Sequence, residues 1–346
     1  MATTDNTIAQ KASSSASSMG KFLFEFSKFG IIQVAILSLI LYIFFSYPRD
    51  NDPSAWGVEK RERMENTPGP RLVLMGDSNV VLGVSSPMLH EAYPEIHPVN
   101  AGLYAFLGHR IILNEIEDLV QPGDTVVISW VYAHFAANEI QNLYYHYAVQ
   151  RPESFKHFTG EEIRWFFDGG TYLIKEALKR TKKILLLHKR DAFGPPYGRD
   201  NLNEYGDGVG HYGMESPPGT RTTIKEFVAT PDGYTGEIIE MLNDLNKRME
   251  ERGARMLFAY PPISEQSYVE NETSIKLLDN VLHERLEFPI INQPEAMLYP
   301  DDVFFDSSYH LKEDAVYDRT ERLIDSLRPF LRSEGNSDKP IDSSSN

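Results

Sequence analysis

The chain has 346 residues, of which 41% are hydrophobic, so it can bury a substantial core in one large domain or two small ones. Its net charge of −16 argues against a nucleic-acid partner, because such a surface cannot neutralise phosphates. It contains no cysteine, which excludes disulfides, thiolate metal sites and a cysteine nucleophile. Neither a His-Glu-x-x-His spacing nor a phosphate-binding Gly-rich loop occurs, so no metal or organic cofactor is expected.

The amino-terminal region predicts a membrane anchor. Residues 1–28 begin with a stretch rich in Ser, Ala and Thr and are predicted to be a disordered tail. Residues 29–47 carry no charge, and as a helix they would extend about 28 Å, close to the hydrocarbon thickness of a bilayer. A buried core helix and a cleaved signal peptide are the alternatives. No small-x-small cleavage pattern follows, so we expect the anchor to be retained.

The basic residues that flank this segment do not decide its orientation. Lysines precede the segment at 11, 21 and 28, and basic residues follow it at 49, 60, 61 and 63. A short tail is easily left in the cytoplasm, and a catalytic domain beyond the bilayer would meet surface substrates. We therefore expect a single-pass protein with its main domain outside the cytoplasm.

A short apolar run after the anchor predicts the first strand and a candidate nucleophile. Residues 48–70 are charged, contain prolines and are predicted to be a linker with a helical turn around residues 59–66. The run at 71–75 fits a buried strand that ends in Gly-Asp-Ser-Asn at 76–79. Glycine would allow a sharp turn there, and ligands bind at this edge of parallel sheets. Ser78 is therefore a candidate nucleophile, although the same four residues are also ordinary turn chemistry.

The rest of the chain alternates predicted strands and helices, which favours an α/β fold with a parallel sheet. Further strands are predicted at 96–99, 125–130, 255–260 and 289–292, and helices at 108–119, 171–190, 232–252 and 265–285. Residues 139–230 are predicted to be an insertion, with a long Gly- and Pro-rich loop at 191–218 near the active site. Its many aromatic residues could bind sugar rings or an acyl group, or form the core of a small subdomain. The domain is expected to extend over residues 71–332, and residues 333–346 to be a disordered tail.

The candidate base lies far from Ser78, in the block from Phe305 to Leu311. An imidazole suits proton transfer near neutral pH, so His310 could accept the serine proton. Asp306 could orient that imidazole if residues 307–309 form a turn. A single histidine before a helix is also common surface chemistry, so the block predicts a base only in combination with Ser78.

Together the two blocks resemble the SGNH (GDSL-like) hydrolase and acyltransferase superfamily, as a divergent membrane-anchored member. The resemblance extends over about residues 70–332 and implies a three-layer, flavodoxin-like α/β domain. It implies that Ser78 is the nucleophile, His310 the general base and acid, and Asp306 the orienting carboxylate. The spacing here is Asp-x-x-x-His, whereas the family commonly has Asp-x-x-His.

The resemblance also implies that the backbone N–H groups of Ser78 and Gly102 bind the oxyanion. A third family block, Gly-x-Asn-Asp, normally supplies another donor from its asparagine, but this chain has Ser-Trp-Val-Tyr-Ala-His at 129–134. Either two donors suffice, or Tyr132 or His134 replaces the asparagine. The candidate substrate-binding residues are Asp77, Asn79, Asn100, Tyr132 and His134.

These features predict a membrane-anchored serine esterase or O-acyltransferase. The expected substrates are ester-linked acyl groups, in particular O-acetyl groups, of a cell-surface polysaccharide. A catalytically inactive binding or scaffold protein of the cell envelope is an alternative, which the missing third block favours. A lipase-like esterase that uses the anchor to approach lipids is another. The expected partners are the bilayer, an acylated glycan or other ester, and an envelope membrane protein.

Overall fold

The computed structural model describes residues 21–22, 24–42, 55–136, 147, 151–160, 163–164, 169–187, 196–224 and 227–331. The chain divides into two compact units. The first comprises residues 1–48 and 164–191, and the second comprises residues 49–163 and 192–346. The disordered tail predicted at 333–346, and all of the tail predicted at 1–28 before residue 21, lie outside the described residues.

The described chain alternates strands with helices, and the predicted α/β class is confirmed. The strands are β1 (Arg71–Gly76), β2 (His97–Asn100), β3 (Thr125–Ser129), β4 (Arg255–Phe258), β5 (Ile263–Ser264) and β6 (Leu298–Tyr299). The α-helices are α1 (Phe24–Tyr42), α2 (Trp56–Asn66), α3 (Ser78–Val81), α4 (Ser86–Ala92), α5 (His109–Glu117), α6 (Gly170–Leu187), α7 (Tyr234–Glu251), α8 (Glu265–Arg285) and α9 (Glu313–Leu331). Short 3-10 helices lie at Ala105–Leu107, Tyr132–Phe135, Pro152–His157, Arg199–Asn201, Pro294–Met297 and Asp301–Val303.

The second unit is built on a parallel sheet with the strand order β2-β1-β3-β4. In register, Val73 of β1 lies between Val99 of β2 and Val126 of β3. Every residue of β1 and β3 is buried, which explains why these strands read as continuous apolar runs in the sequence. The strand predicted at 289–292 contributes only a single parallel bridge, from Ile290 to Phe258. Strands β5 and β6 form a separate parallel pair.

The two faces of this sheet bury different apolar clusters. Successive strand residues point to opposite faces, so Val73 and Met75 join one cluster while Leu72 and Leu74 join the other. The first cluster is completed by side chains of α5, α7 and α8. The second is completed by α4 and α9, including Leu327. Helices therefore cover both faces of the sheet.

Helix α2 corrects the prediction that residues 48–70 form a linker. Trp56, Lys60 and Met64 of this helix are at most 1% exposed, so one face of α2 is part of the second unit. Charged residues dominate the other positions, and this composition made the segment read as a linker. The buried guanidinium of Arg71 fixes its end, donating to the carbonyl oxygen of Met64 and forming an ion pair with Asp124 at 2.6 Å.

Helix α1 of the first unit is long and apolar enough to cross a membrane. Its most apolar stretch of 18 residues has a mean hydropathy of 1.7 and is not buried. It starts earlier than the predicted residues 29–47, because Glu25 and Lys28 pair within one helical turn at 2.8 Å and do not interrupt the helix. Residues 43–47 lie outside the described residues. The side of the membrane on which each end lies remains a prediction.

The segment predicted as an insertion at 139–230 is divided between the two units. Helix α6, predicted at 171–190, belongs to the first unit. The part after residue 196 belongs to the second unit, and Ile224 and Phe227 enter its main apolar cluster. This part therefore packs with the main domain, and its status as an insertion into the basic fold stays a prediction. Most of the aromatic stretch at 139–167 lies outside the described residues.

Candidate active site

Ser78 lies where β1 ends and α3 begins, at the carboxyl edge of the sheet. Asp77 is the N-cap residue of α3 and has an extended backbone, and Ser78 is the first helical residue. Its side chain is nearly enclosed, because the residue is only 7% exposed. Its backbone N–H lies in the first turn of the helix, where the helix itself offers no acceptor. The strand thus brings Ser78 to the edge at which ligands bind in parallel sheets, as the sequence predicts.

The fully buried carboxylate of Asp77 fixes the turn that carries Ser78. One oxygen accepts hydrogen bonds from the backbone N–H and the side-chain amide of Asn79, both at 2.8 Å. The other accepts from the N–H of Val131 at 2.9 Å, and His134 Nε2 lies 3.4 Å from it. Burial would raise the pKa of Asp77, but the His134 imidazole and the two backbone N–H groups outweigh it and hold the pKa below its usual value.

Asn79 connects the same turn to β3 and to α9. Its amide donates to the backbone oxygen of Ser129 at 3.1 Å. From α9, the guanidinium of Arg319 donates to the backbone and side-chain oxygens of Asn79 at 2.6 and 2.7 Å. Burial lowers the pKa of Arg319 to about 10. Arg319 therefore fastens α9, the helix that follows His310 in the chain, to the turn that carries Ser78.

Gly76 is required here for close packing rather than for a special backbone conformation. Its φ is not positive, so the sharp turn expected from the sequence does not depend on glycine's freedom. A Cβ atom at this position would instead lie 2.1 Å from the carbonyl oxygen of Ser129 and 2.5 Å from Val80. Any side chain would force β1 and β3 apart directly behind Ser78.

The carboxyl-terminal block forms a short loop closed at its base. Phe304 and Leu311 form an antiparallel bridge, and the N–H of Phe305 donates to the carbonyl oxygen of His310 at 2.7 Å. Inside the loop the hydroxyl of Ser307 accepts the backbone N–H of His310 at 3.2 Å. The loop therefore turns His310 back toward the start of the block, which is why the longer Asp-x-x-x-His spacing still brings the two side chains together.

Three of the predicted site residues meet in one contact chain. His310 Nε2 lies 2.9 Å from the hydroxyl oxygen of Ser78, although the two residues are 232 positions apart. His310 Nδ1 lies 2.7 Å from one carboxylate oxygen of Asp306. His310 is 6% exposed, so the imidazole is largely shielded from water. The two distances are those of hydrogen bonds from a serine to an imidazole and from that imidazole to a carboxylate.

Asp306 has a second partner that the sequence analysis does not predict. The hydroxyl of Tyr197 donates to the carboxylate oxygen that His310 leaves free, and it lies 3.4 Å from His310 Nδ1. Burial alone would raise the pKa of Asp306, but the hydrogen bonds from His310 and Tyr197 outweigh it and hold the pKa below its usual value. Tyr197 belongs to the loop predicted at 191–218, and no motif marks it, because its partner lies 109 residues away.

The predicted oxyanion donor Gly102 lies against the turn that carries Ser78, but its N–H already donates a hydrogen bond within the protein. It donates to the side-chain oxygen of Asn100 at 3.2 Å. The amide of Asn100 donates to the carbonyl oxygen of Val80 and to Asp207, both at 2.9 Å. Lys60 lies 3.4 Å from the same side-chain oxygen of Asn100. Asn100 is thus fully buried and engaged, and an oxyanion would have to displace its bond to Gly102.

The two residues predicted to replace the missing asparagine are enclosed in the core. Tyr132 is 1% exposed, and its ring stacks on the rings of Phe227 and Tyr260 with centroids 5.7 and 6.3 Å apart. His134 is 0% exposed and lies beside Asp77. The five residues predicted to bind substrate are therefore all buried in this structure. Direct contact between them and a substrate remains a prediction.

A comparison of the chain with protein-family models finds no match, and a comparison with curated proteins finds no significant relative. The geometry of the site therefore carries the functional argument.

The contact chain from Ser78 through His310 to Asp306 has the parts of a nucleophilic catalyst. An imidazole in contact with a serine can remove its proton during attack on a carbonyl carbon, and a buried carboxylate can orient the imidazole and stabilise its charged form. Within the described ranges, no three His, Asp or Glu side chains are grouped in a way that could hold a metal ion.

Proposed function

We propose that this protein is a membrane-anchored serine esterase or O-acyltransferase of the SGNH type. The observation that supports this most strongly is the pair of distances at His310, 2.9 Å to the Ser78 hydroxyl and 2.7 Å to Asp306. Three residues from opposite ends of the domain meet in the order that acyl transfer requires. The proposed substrate is an ester-linked acyl group, in particular an O-acetyl group of a cell-surface polysaccharide.

The reaction would proceed in two halves. In the first, Ser78 Oγ attacks the ester carbonyl carbon while His310 Nε2 takes the serine proton. His310 then returns this proton to the leaving alcohol oxygen, and the acyl group stays on Ser78. In the second half, water or a sugar hydroxyl gives a proton to His310 and attacks the acyl carbonyl carbon. The bond from this carbon to Ser78 Oγ then breaks, and His310 returns the proton to Ser78 Oγ. Water gives hydrolysis, and a sugar hydroxyl gives transfer.

The oxyanion would be bound by backbone N–H groups. The N–H of Ser78 lies in the first turn of α3, where the helix offers it no acceptor. The second proposed donor, Gly102, would exchange its bond to Asn100 for one to the oxyanion. Loss of one oxyanion donor typically costs about 3 kcal/mol of transition-state stabilisation, so this exchange bears directly on the rate.

The proposed flavodoxin-like architecture is supported by the strand order. The observed order β2-β1-β3-β4 is the start of the flavodoxin-like order 2-1-3-4-5. The bridge from Phe258 to Ile290 lies where the fifth strand of that order would pair. In such sheets the site forms at the carboxyl ends of the strands, which is where Ser78 lies.

An envelope substrate requires the main domain to lie outside the cytoplasm. Helix α1 supports an anchor, and protease added to intact cells or spheroplasts tests its orientation. We expect protease to remove the domain after α1. Complete protection in spheroplasts, with cleavage after lysis, would contradict the proposed location.

A fluorophosphonate probe, which reacts with activated serines, tests the enzymatic proposal directly. We expect the wild type to be labelled and Ser78→Ala not to be labelled. Ser326→Ala is the matched control, since the Ser326 hydroxyl bonds only to Arg322 in its own helix among the described contacts, and it should label like the wild type. Release of acetate from acetylated glycans, compared with long-chain esters, then separates the polysaccharide proposal from a lipase-like activity.

A binding or scaffold protein is the second candidate, and two observations favour it. The Gly102 N–H is occupied by Asn100, and the residues at the place of the third family block are buried in the core. This candidate predicts a folded wild type that the fluorophosphonate does not label at Ser78. Labelling at Ser78 would exclude it.

A further inference from the structure

We propose that Tyr197 is a positioning residue that holds the carboxylate of Asp306 in the orientation that His310 needs. This inference rests on the proposed function, because it assigns a role within the same site. It concerns a residue that no sequence motif marks and that lies outside both blocks on which the resemblance is based.

The two carboxylate oxygens of Asp306 have different partners. One lies 2.7 Å from His310 Nδ1, and the other accepts the hydroxyl proton of Tyr197. A carboxylate with only one partner can rotate about its last bond, whereas donors on both oxygens fix its plane. Since the imidazole is oriented through that plane, Tyr197 acts on His310 through Asp306. Burial and the neighbouring carboxylate both raise the pKa of Tyr197, so its hydroxyl keeps the proton that it donates.

Helix α2 holds the loop that carries Tyr197. Trp56 Nε1 donates to the backbone oxygen of Tyr197 at 3.1 Å, and the Trp56 and Tyr197 rings lie 6.4 Å apart. Glu59 forms an ion pair with Arg199, which lies two residues after Tyr197 in the chain. Trp56 is 1% exposed, so the first of these contacts is shielded from water.

The same face of α2 continues along the loop. Lys60 donates to the backbone oxygen of Gly206, and Arg63 donates to that of Glu204. Residues 56, 59, 60 and 63 follow the three- and four-residue spacing of one helical face. Four side chains of one helix thus bind four points of the loop between 197 and 206, which explains how a segment without strands can place a hydroxyl group on Asp306.

A purely structural role for Tyr197 makes a different prediction. If only its ring mattered, by packing against Trp56, phenylalanine would replace it without consequence. If the hydroxyl positions Asp306, phenylalanine removes the relevant group and keeps the packing. Tyr197→Phe therefore separates the two roles. Tyr205→Phe is the matched control, because it removes a hydroxyl from the same loop away from the contact chain of Ser78, His310 and Asp306.

The experiment measures the rate of fluorophosphonate labelling of the full-length protein as a function of pH. We expect Tyr197→Phe to label about tenfold more slowly than the wild type at pH 7, a factor typical of losing one hydrogen bond to a charged group. The acid limb of the pH–rate profile of Tyr197→Phe should also move to higher pH. The reason is that a carboxylate with one donor fewer carries more effective negative charge, so the Asp306–His310 pair binds its proton more tightly. Tyr205→Phe should match the wild type in both respects.

A second measurement does not depend on turnover. Nitrogen-15 NMR of the histidine rings should show the Asp306–His310 pair titrating at higher pH in Tyr197→Phe. Glu59→Gln, which breaks the ion pair to Arg199, should slow labelling in the same direction by about threefold or less. This variant extends the test to the contact with α2.

The outcomes separate this inference from the proposed function. A folded Tyr197→Phe with unchanged labelling, an unchanged pH profile and an unchanged NMR titration would overturn the role of Tyr197 and leave the enzyme proposal intact. A wild type that is not labelled, together with a shifted NMR titration in Tyr197→Phe, would reject the enzyme proposal and support the positioning contact.

Discussion

The two sides of the Ser78–His310 contact are held in different ways. On the serine side, Asp77 and Asn79 are fully buried and their side chains bond to β3, to α9 and to each other. On the histidine side, Asp306 is only partly buried and lies on a loop, and its fixed orientation depends on His310 and Tyr197. Ser78, the proposed nucleophile, is thus held by the core, whereas His310, its proposed base, is held on a loop.

This difference separates stability from activity. Buried polar groups that lose a partner cost a large share of a protein's stability, so changes behind Ser78 should lower stability and activity together. Residues 306–309 of the loop before His310 are only partly buried, so we expect changes there to break few buried hydrogen bonds. They should lower activity while the free energy of unfolding changes little.

The largest effect on stability is expected for Asp77→Asn. Asp77 now accepts hydrogen bonds from backbone N–H groups through both carboxylate oxygens, and the amide nitrogen of asparagine would face one of these donors with a donor of its own. We therefore expect the free energy of unfolding at pH 7 to fall by about 3 kcal/mol. Denaturant unfolding measures this change. Asp325→Asn, in which the aspartate side chain is 71% exposed, is the control and should change stability by less than about 0.5 kcal/mol.

The same variant makes a prediction about pH. The pKa of Asp77 is lower in the folded protein than its unfolded value of about 4, so its stabilising contribution is present above that pH and is lost as the pH falls through the folded pKa. The wild type should therefore lose more unfolding free energy than Asp77→Asn as the pH falls below about 4. Parallel losses in the two proteins would show that Asp77 does not stabilise the turn as a charged group.

The next largest effect is expected for Gly76→Ala. The new Cβ would meet the backbone oxygen of Ser129, which cannot move without separating β1 from β3. We expect a loss of about 2 kcal/mol in unfolding free energy, together with slower labelling of Ser78. Gly160→Ala is the control, because no atom lies within 4 Å of its added Cβ. Equal stability of the two variants would show that the close approach of the strands is not needed.

The smallest effect on stability is expected for Ser307→Ala. The Ser307 hydroxyl accepts the backbone N–H of His310 at 3.2 Å, on the partly exposed loop. Its loss should cost less than about 1 kcal/mol of stability, but it should slow labelling of Ser78 several-fold because His310 is less well held. Ser308→Ala is the neighbouring control. A large loss of stability in Ser307→Ala with unchanged labelling would reverse the proposed contrast between the two sides.

The two sides also differ in how far the sequence predicts them. Ser78 and its strand are visible because a buried strand and the turn after it are local patterns, and Asp306 and His310 lie close together in one block. Arg319 and Tyr197 are not visible, since they reach their partners across 240 and 109 residues. The helical turn predicted around residues 59–66 falls short of α2, because the buried face of this helix is short and includes a lysine, so its composition is that of a linker. Residue patterns therefore predict the residues of the proposed active site better than the contacts that hold them.

The central claim is that His310 activates Ser78, and one measurement tests it directly. The rate of fluorophosphonate labelling at Ser78 should be compared at pH 7.5 between the wild type and His310→Gln, with the labelled residue identified by peptide mass spectrometry and folding checked by thermal unfolding. We expect labelling of the folded His310→Gln variant to be at least about 1,000-fold slower than that of the wild type. Equal rates in two folded proteins would contradict it.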